Sequence, residues 1–173
     1  MKRLFSIFSV MVFVMISGAC IDENVDEFEE LVKVGDRLPT FVVTTNEDTT
    51  VTSEQLSSGI SLVIFFHTGC PDCQAVLPIV QQLYEEYCAD GVQFLLISRE
   101  DAQASVAQYW NQNNFTMPYS AQSDRSIYEL FAQEGVPRIY ICQNGVIRSV
   151  FTDTPTPSYG VLKEALILLM GYK

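Results

Sequence analysis

The sequence is poor in histidine, in positive charge and in long hydrophobic runs. Its 173 residues contain one histidine, His67, and 10 lysines and arginines against 21 aspartates and glutamates, so the formal net charge is −11. With one histidine and a single Cys-x-x-Cys, the usual zinc ligand sets are incomplete, and we expect no metal. The acidic balance argues against nucleic acid and anionic lipid surfaces as partners. The length suits one domain with a hydrophobic core.

The N-terminus carries the pattern of a secretory signal peptide. Lys2-Arg3 precedes an apolar run at 4–16, and the small residues Ser17-Gly18-Ala19 follow it, which predicts a signal peptide over 1–19. The apolar run has 13 residues, whereas a membrane-spanning helix needs about 20. A cleaved signal is therefore expected rather than an anchor helix.

The residue after the predicted cleavage point is Cys20. Its context resembles a bacterial lipoprotein signal, in which this cysteine receives lipid, although Ser17 stands where that family usually has leucine. Cleavage by ordinary signal peptidase, which leaves a free Cys20, is the alternative. The acidic stretch 20–33 predicts a solvated tether, followed by one domain over 34–173. We therefore expect an extracytoplasmic protein anchored through lipid to a bacterial membrane, at the periplasmic face or the cell surface.

The sequence Cys70-Pro71-Asp72-Cys73 joins an apolar run at 60–66 to a helix-like stretch. Two cysteines at this spacing can close a small disulfide ring, and the first lies where backbone N–H groups and the helix dipole stabilise a thiolate. Because a thiolate is the species that attacks disulfides, the motif predicts thiol–disulfide exchange through Cys70 and Cys73. A static structural disulfide is the alternative.

Three neighbours are expected to tune this pair. Asp72 places a negative charge near Cys70, which opposes thiolate formation and predicts a more reducing pair than a neutral motif would give. Pro71 begins the helix, and His67, three residues before Cys70, is a candidate for proton transfer. Plainer interpretations are that Asp72 points into water and that His67 ends a strand against solvent or backbone.

Two further cysteines, Cys88 and Cys142, have no assigned chemistry. Cys88 falls late in a predicted helix and Cys142 falls inside a predicted strand. We expect both to be free, buried small side chains. A Cys88–Cys142 disulfide is the competing interpretation, because secreted proteins tolerate disulfides.

Alternating strand and helix patterns predict an α/β fold. The chain begins with a predicted hairpin over 40–44 and 49–52 and a helical turn at 53–56. A strand at 61–66, a helix at 71–88, a strand at 92–98 and a helix capped by Asp101 and ending near 113 follow. The last predicted elements are a short strand at Tyr119, a helix at 125–133 capped by Asp124, strands at 138–142 and 146–151 joined by Asn144-Gly145, and a helix at 158–170. This order predicts a central mixed parallel and antiparallel sheet with helices on both faces. The cysteine pair would lie at the carboxyl end of a central strand, where ligand sites of open α/β sheets usually occur.

With Cys-Pro-Asp-Cys at that place, the predicted architecture resembles the thioredoxin fold. Pro78 lies five residues after Cys73, where thioredoxins carry a helix-kinking proline, and Val136-Pro137 precedes the late hairpin, where the family has a cis-proline facing the dithiol. The secretory signal, the N-terminal hairpin and the segment 34–41 are similar to the extracytoplasmic branch that includes TlpA and ResA. The resemblance covers roughly residues 33–171.

The resemblance implies a role for each site residue. Cys70 would be the exposed nucleophile, and Cys73 would resolve the mixed disulfide. Val136 would shape which partners dock, and Pro137 would be cis beside the bound substrate strand. The implied partners are protein disulfides and a membrane electron donor, and the Cys70–Cys73 disulfide would be the redox group, with no other cofactor.

Several family positions hold different residues in this chain. Gly69 and Phe66 stand where thioredoxins usually have tryptophan, and Ile64 replaces the buried acid that shuttles protons. Val76 replaces the glutamate that ResA-like proteins carry after the second cysteine. The proton relay is therefore unassigned. The charged cluster at 99–101 is a candidate source of the missing acid, but the favoured interpretation is a helix-start cluster that complements the helix dipole.

These observations predict a membrane-tethered oxidoreductase that reduces protein disulfides outside the cytoplasm. A peroxiredoxin-like peroxide reductase is one alternative, since it shares the fold and Thr68 fits its pattern, although no proline precedes Cys70 within 65–69. A surface-anchored binding module without turnover is the other, because the usual acid and tryptophans are missing.

Overall fold

The computed structural model of the protein describes residues 31–171. This part of the chain alternates strands and helices after an initial hairpin. The elements in chain order are β1 (Val42–Thr44), β2 (Thr50–Thr52), a 3-10 turn (Gln55–Ser57), β3 (Ile60–Phe66), α1 (Pro71–Tyr87), β4 (Gln93–Ser98), α2 (Gln103–Asn113), β5 (Tyr119–Ser120), a second 3-10 turn (Tyr128–Leu130), β6 (Arg138–Gln143), β7 (Val146–Phe151) and α3 (Tyr159–Met170).

The strands β3 to β7 form one mixed sheet in the order β5-β4-β3-β6-β7. The central strand β3 is parallel to β4 and antiparallel to β6. Residues 61–66 of β3 are all buried, and because successive strand residues point to opposite faces, both faces of the sheet are covered. Phe65 packs on Phe131 with ring centroids 4.7 Å apart, and Phe66 packs on Trp110 of α2 at 5.0 Å. The predicted α/β fold with a mixed sheet is confirmed.

The predicted N-terminal hairpin forms as β1 and β2, which pair antiparallel in a small sheet of their own. This hairpin covers the outer strand β5. The Tyr119 N–H donates to Asn46 Oδ1 at 2.8 Å, and the Ser120 hydroxyl donates to the Thr44 carbonyl at 2.6 Å. Since an open strand edge is a template for unwanted pairing, the hairpin protects the sheet on this side.

Asn144-Gly145 makes the tight turn between β6 and β7, as predicted. Both residues have positive φ, 52° and 73°, which is the backbone conformation of a two-residue type I′ turn. A Cβ added to Gly145 would lie 2.6 Å from Ser57 Oγ. Glycine therefore suits this position through both its φ and the close approach of the first 3-10 turn.

The predicted helix at 125–133 is wrong, since this segment contains a single 3-10 turn at Tyr128–Leu130. Asp124 does not cap a helix. Its carboxylate accepts a hydrogen bond from the Ser126 N–H, two residues on, at 2.9 Å, which is an Asx-turn that competes with helix formation. After the short turn the chain leaves the helical path, and Phe131 is fully buried in the core.

Residues 1–30 lie outside the described part of the chain, so the signal peptide at 1–19, Cys20 and most of the tether stay predictions. Val32 is packed into the core at 6% exposure, two residues before the domain start predicted at 34. Between residues 31 and 171, no helix has the length and apolar character needed to cross a bilayer.

Candidate active site

The two cysteines lie at the carboxyl end of the central strand β3, as predicted. Residues 67–70 connect the strand to the helix, and Cys70 immediately precedes Pro71, the first residue of α1. Cys70 is partly exposed, whereas Cys73 is fully buried at 0% exposure. Both are free thiols in this structure. The site therefore presents one sulfur to solvent and keeps the second inside the protein.

The peptide bond between Val136 and Pro137 faces this pair and is cis, as the resemblance implied. The Cys70 thiol donates a hydrogen bond to the Val136 carbonyl, with 3.2 Å between Sγ and oxygen. The Val136 side chain itself is nearly buried. The fold thus brings Cys70, Val136 and Pro137 together, and their roles in substrate binding stay predictions.

Arg138 holds the loop that carries the cis bond, a role that the sequence analysis did not assign. Its guanidinium is buried at 8% exposure and donates to the Glu134 carbonyl from Nε at 2.9 Å and from Nη2 at 2.7 Å. Nε also donates to the Gly135 carbonyl at 3.2 Å, and the Tyr128 hydroxyl donates to the same oxygen at 2.6 Å. These bonds fix the loop so that Val136 faces the dithiol. The one sequence signal for this role is an arginine that begins an otherwise apolar strand.

Burial raises the pKa of the Cys73 thiol well above the ordinary range of cysteine. The His67 N–H opposes this shift by donating to Cys73 Sγ at 3.5 Å. Cys70 raises the pKa further, through its hydrogen bond and its charge, and the charge of Asp72 adds to the increase. Since the thiolate is the reactive form, Cys73 is held as a neutral thiol until a proton is removed.

Asp101 does not cap α2 as predicted, because its carboxylate binds the loop that precedes the first cysteine. The cap position of α2 is Ala102. The Asp101 carboxylate, 7% exposed, accepts hydrogen bonds from the Thr68 N–H at 2.7 Å and from the Thr68 hydroxyl at 3.1 Å. Nε2 of His67 lies 3.3 Å from Asp101 Oδ1. A buried acid from the 99–101 cluster is therefore present beside the dithiol loop, whereas the favoured interpretation from the sequence is that this cluster complements the helix dipole.

The residues expected to tune the pair have different surroundings. Asp72 is exposed, and its Oδ1 accepts a hydrogen bond from the Thr156 hydroxyl at 3.4 Å. Pro71 occupies the first helical position, where its missing N–H has no intrahelical partner to lose. His67 directly follows the last residue of β3, and its Nδ1 accepts the backbone Gly69 N–H at 3.0 Å, which agrees with the plainer interpretation of a strand-end histidine against backbone.

An open cleft of about 380 Å³ lies beside the exposed thiol. It is lined by His67, Gly69, Cys70, Asp72, Arg99, Gly135, Val136 and Asp153. Its wall is polar and carries both signs of charge, unlike the mostly apolar pockets that bind small-molecule cofactors. Across residues 31–171, no group of three histidine, cysteine, aspartate or glutamate side chains is placed to hold a metal ion.

The remaining cysteines, Cys88 and Cys142, are both free thiols in the described part of the chain. Cys142 is buried in β6, as expected, and burial raises its pKa to about 12, against a smaller opposite effect of the Ser61 hydrogen bond. The expectation of burial is wrong for Cys88, which is exposed at the end of α1. Tyr87 takes the inward-facing position of that last turn and leaves Cys88 outside.

Together, a partly exposed cysteine before a helix, a buried cysteine in its first turn and a facing cis X–Pro bond define a thioredoxin-fold dithiol protein. Residues 34–152 match the AhpC/TSA family, and the chain belongs to that family. The predicted thioredoxin-like membership is therefore confirmed. Curated relatives carry the name thiol-disulfide oxidoreductase, and the chain is an enzyme of that class.

Two curated relatives and two solved structures show how similar this chain is to individual proteins. The thiol-disulfide oxidoreductase ResA of Oceanobacillus iheyensis is 25% identical over 135 residues, spanning 75% of this chain and 70% of the relative. ResA of Bacillus anthracis is 22% identical over 144 residues, spanning 82% and 83%. Among solved structures, a putative protein disulfide isomerase from Bacteroides thetaiotaomicron matches with a TM-score of 0.75 and 16% identity over 83% of this chain and 94% of that chain. A thio-disulfide isomerase from Thermus thermophilus matches with a TM-score of 0.64 and 26% identity over 80% and 97%.

Proposed function

We propose that the protein reduces protein disulfides outside the cytoplasm, with Cys70 as the attacking thiol and Cys73 as the resolving thiol. The observation that carries this proposal is the pairing of a partly exposed Cys70 with a fully buried Cys73 beside the cis Val136–Pro137 bond. A large substrate can reach the sulfur of the partly exposed Cys70, whereas the sulfur of the buried Cys73 is accessible only to groups within the protein, such as Cys70 itself. The Cys70–Cys73 disulfide is the proposed redox group, without a further cofactor.

Reduction proceeds in two exchange steps. The Cys70 thiolate attacks one sulfur of the substrate disulfide, so that a mixed disulfide forms, the substrate S–S bond breaks and one substrate thiolate leaves. Cys73 then loses its proton and attacks Cys70 Sγ, which closes the Cys70–Cys73 bond and releases the second substrate thiolate. Each released thiolate takes up a proton. Two electrons pass from the dithiol to the substrate.

The loop at Val136 is the proposed docking edge for an extended substrate segment. The Val136 carbonyl lies 3.2 Å from Cys70 Sγ, so a strand that pairs along this loop brings its own sulfur to the attacking thiol. Arg138 supports the loop from the protein side through its bonds to two backbone carbonyls. The Val136 side chain would then influence which substrate residues are accepted.

The raised pKa of Cys73 supports reduction rather than oxidation as the direction. Burial is its main cause and the Asp72 charge adds a smaller contribution, and a poorly stabilised thiolate favours the disulfide form of the pair, which makes the dithiol a better reductant. Such pairs span about −270 to −120 mV, and we place this one in the lower half. Because extracytoplasmic space is usually oxidising, a membrane dithiol donor is proposed to regenerate the reduced pair.

Peroxide reduction, the alternative from the sequence, has weaker support. The Thr68 hydroxyl donates to the Asp101 carboxylate at 3.1 Å, which commits it to holding the loop. The segment 65–69 also lacks the proline expected before a peroxide-reducing cysteine. Consumption of hydrogen peroxide as fast as a protein disulfide is reduced would favour this alternative.

Insulin reduction by the pre-reduced protein, followed by turbidity, tests the proposed activity. Cys70→Ser is expected to abolish it, because the attacking sulfur is removed. Cys88→Ser is the matched control, since it removes an exposed cysteine outside the cleft and should leave the rate unchanged. A wild-type rate in Cys70→Ser would contradict the assignment of the attacking thiol.

The anchor is proposed to be lipid on Cys20, with residues 20–33 as an acidic tether. The support is the N-terminal signal pattern and the acidic stretch that follows it. Cys20→Ser should move the protein from the membrane fraction to the soluble extracytoplasmic fraction. Retention of Cys20→Ser in the membrane fraction would contradict a lipid anchor at this residue.

A further inference from the structure

An apolar groove lies next to the cleft beside Cys70, between the end of β7, the loop 152–158 and the first turn of α3. Its volume is about 510 Å³. None of the nine residues that line it carries a charge, although the chain has a formal net charge of −11. Four of them are three threonines and a serine, and the apolar ones are Val150, Phe151, Pro155, Pro157 and Val161.

The apolar groove and the cleft beside Cys70 share one wall. Asp153 lines the cleft, and its two neighbours in the loop, Thr152 and Thr154, line the groove. Thr156 also lines the groove, and its hydroxyl donates to Asp72 Oδ1 of the cysteine motif at 3.4 Å. A polypeptide that leaves the cleft across this loop therefore enters the groove directly.

The sheet sets the distance between the groove and the attacking thiol. Arg138 at the start of β6 pairs with Phe65 of β3. The next residue of β6 pairs with Phe151 of β7, which lines the groove. The groove is therefore two strand spacings, about 10 Å, from the strand that leads to Cys70. Because an extended chain advances about 3.3 Å per residue, roughly three residues span that distance.

The apolar groove is open to a partner. Val161 is 47% exposed, and Phe151 is half-buried. Covering these side chains with another apolar group removes apolar surface from water, which is favourable. A polar or charged group placed there would lose water without gaining a charged partner, since the lining residues carry no charge. The groove therefore favours an apolar side chain as its occupant.

We propose that the apolar groove is a second substrate-binding surface, which selects disulfides with an apolar residue about three positions from the cysteine. The occupant is an extended segment of the substrate polypeptide. Its sulfur lies at Cys70, and its apolar side chain lies against Phe151 and Val161. The groove takes no part in the exchange chemistry, and it holds the substrate so that the sulfur stays at the attacking thiol. The inference deepens the proposed function and rests on Cys70 being that thiol.

Two matched peptides test the proposal. Each has seven residues with a central cysteine and is joined by a disulfide to a second copy of itself. The residues three positions before and after the cysteine are leucine in one peptide and serine in the other. The pre-reduced protein is mixed with each peptide, and the second-order rate constant of reduction is measured by acid quench and chromatography. The leucine peptide should be reduced about tenfold faster, the effect of partly burying one leucine side chain. Equal rate constants would overturn the proposal.

Val161→Asp tests whether the groove is the source of this preference. Val161 lies in the first turn of α3, and its N–H donates to the Ser158 hydroxyl. An aspartate in a first helical turn is compatible with the helix and places a charge in the groove. The preference should fall below about twofold. Alkylation of Cys70 by iodoacetamide should keep its rate, because residue 161 does not line the cleft.

Two further variants serve as controls. Val161→Ile keeps the groove apolar and should keep the preference for the leucine peptide. Leu168→Asp makes the matched change on the same helix outside the groove, at a side chain that is 72% exposed, and should also keep it. A tenfold preference that persists in Val161→Asp would overturn the groove as its source.

Sedimentation velocity separates the proposed occupant from a second copy of this chain. If the groove joined two copies, the wild type would sediment as a dimer and Val161→Asp as a monomer, and the proposal would be overturned. A monomeric wild type that prefers the leucine peptide supports it. Failure of the proposed function has a different signature, which is reduction of both peptides by Cys70→Ser or of neither peptide by the wild type.

Discussion

Arg138→Lys is the substitution that tests how the substrate loop is held. The buried guanidinium makes three hydrogen bonds to the carbonyls of Glu134 and Gly135. Lysine keeps the charge but donates from one flexible point instead of a planar fork, so at least two of the three bonds are lost. Hydrogen bonds to charged groups contribute about 1.5–3 kcal/mol each, and water and local relaxation recover part of the loss.

We therefore expect Arg138→Lys to lower the free energy of unfolding by about 2–4 kcal/mol. For a domain of this size the melting temperature should fall by roughly 6–12 °C. Urea unfolding followed by fluorescence of the buried Trp110, the one tryptophan in the chain, measures the change. Insulin reduction should also slow, because Val136 loses its fixed place opposite the attacking thiol.

Arg148→Lys is the matched control, since Arg148 is exposed on β7 and should change stability by less than about 0.5 kcal/mol. If Arg138→Lys matched the wild type in both unfolding and insulin reduction, the planar fork would not be what supports the loop. The reasoning from its three bonds would then be refuted.

Three other outcomes follow from the same structure. Gly145→Ala should lower the free energy of unfolding, measured by thermal unfolding, by about 1–3 kcal/mol, because a positive φ is combined with a Cβ 2.6 Å from Ser57 Oγ. Gly59→Ala is the control, since Gly59 has a similar φ but open space around it, and its loss of unfolding free energy should be smaller. Equal losses would contradict the argument from the Ser57 contact. Resolution of a mixed disulfide by Cys73 should accelerate about tenfold per pH unit from pH 7 to 9, because its raised pKa keeps it protonated, and a pH-independent rate would contradict this. Phe65→Ala should lower the free energy of unfolding, measured with urea, by about 3–5 kcal/mol, because the ring is fully buried in the central strand. A decrease below about 1 kcal/mol would contradict the place of this ring in the core.

Much of the fold was predictable because its signals are local. The apolar run that becomes β3, the cysteine pair at the start of α1 and the Asn144-Gly145 turn each depend on neighbouring residues. The cis state of the Val136–Pro137 bond was different, since it followed from the family resemblance and not from the residues alone.

The parts that escaped prediction depend on contacts distant in sequence. Asp101 has the spacing of a helix cap, but Thr68, 33 positions earlier, takes its carboxylate. Arg138 looks like an ordinary strand residue until the preceding loop folds back onto its guanidinium. At 125–133 the apolar spacing suits a helix, whereas the Asx-turn and the burial of Phe131 interrupt it.

Trapping of the mixed disulfide is the most direct test of the division of labour between Cys70 and Cys73. Reduced Cys73→Ser and Cys70→Ser proteins are mixed with a disulfide-linked peptide, and covalent adducts are located by mass spectrometry. We expect Cys73→Ser to accumulate a peptide on Cys70, while Cys70→Ser forms no adduct at the buried Cys73. The assignment of Cys70 as the attacking thiol would be contradicted if the Cys70→Ser protein formed an adduct on Cys73 as fast as the Cys73→Ser protein forms one on Cys70.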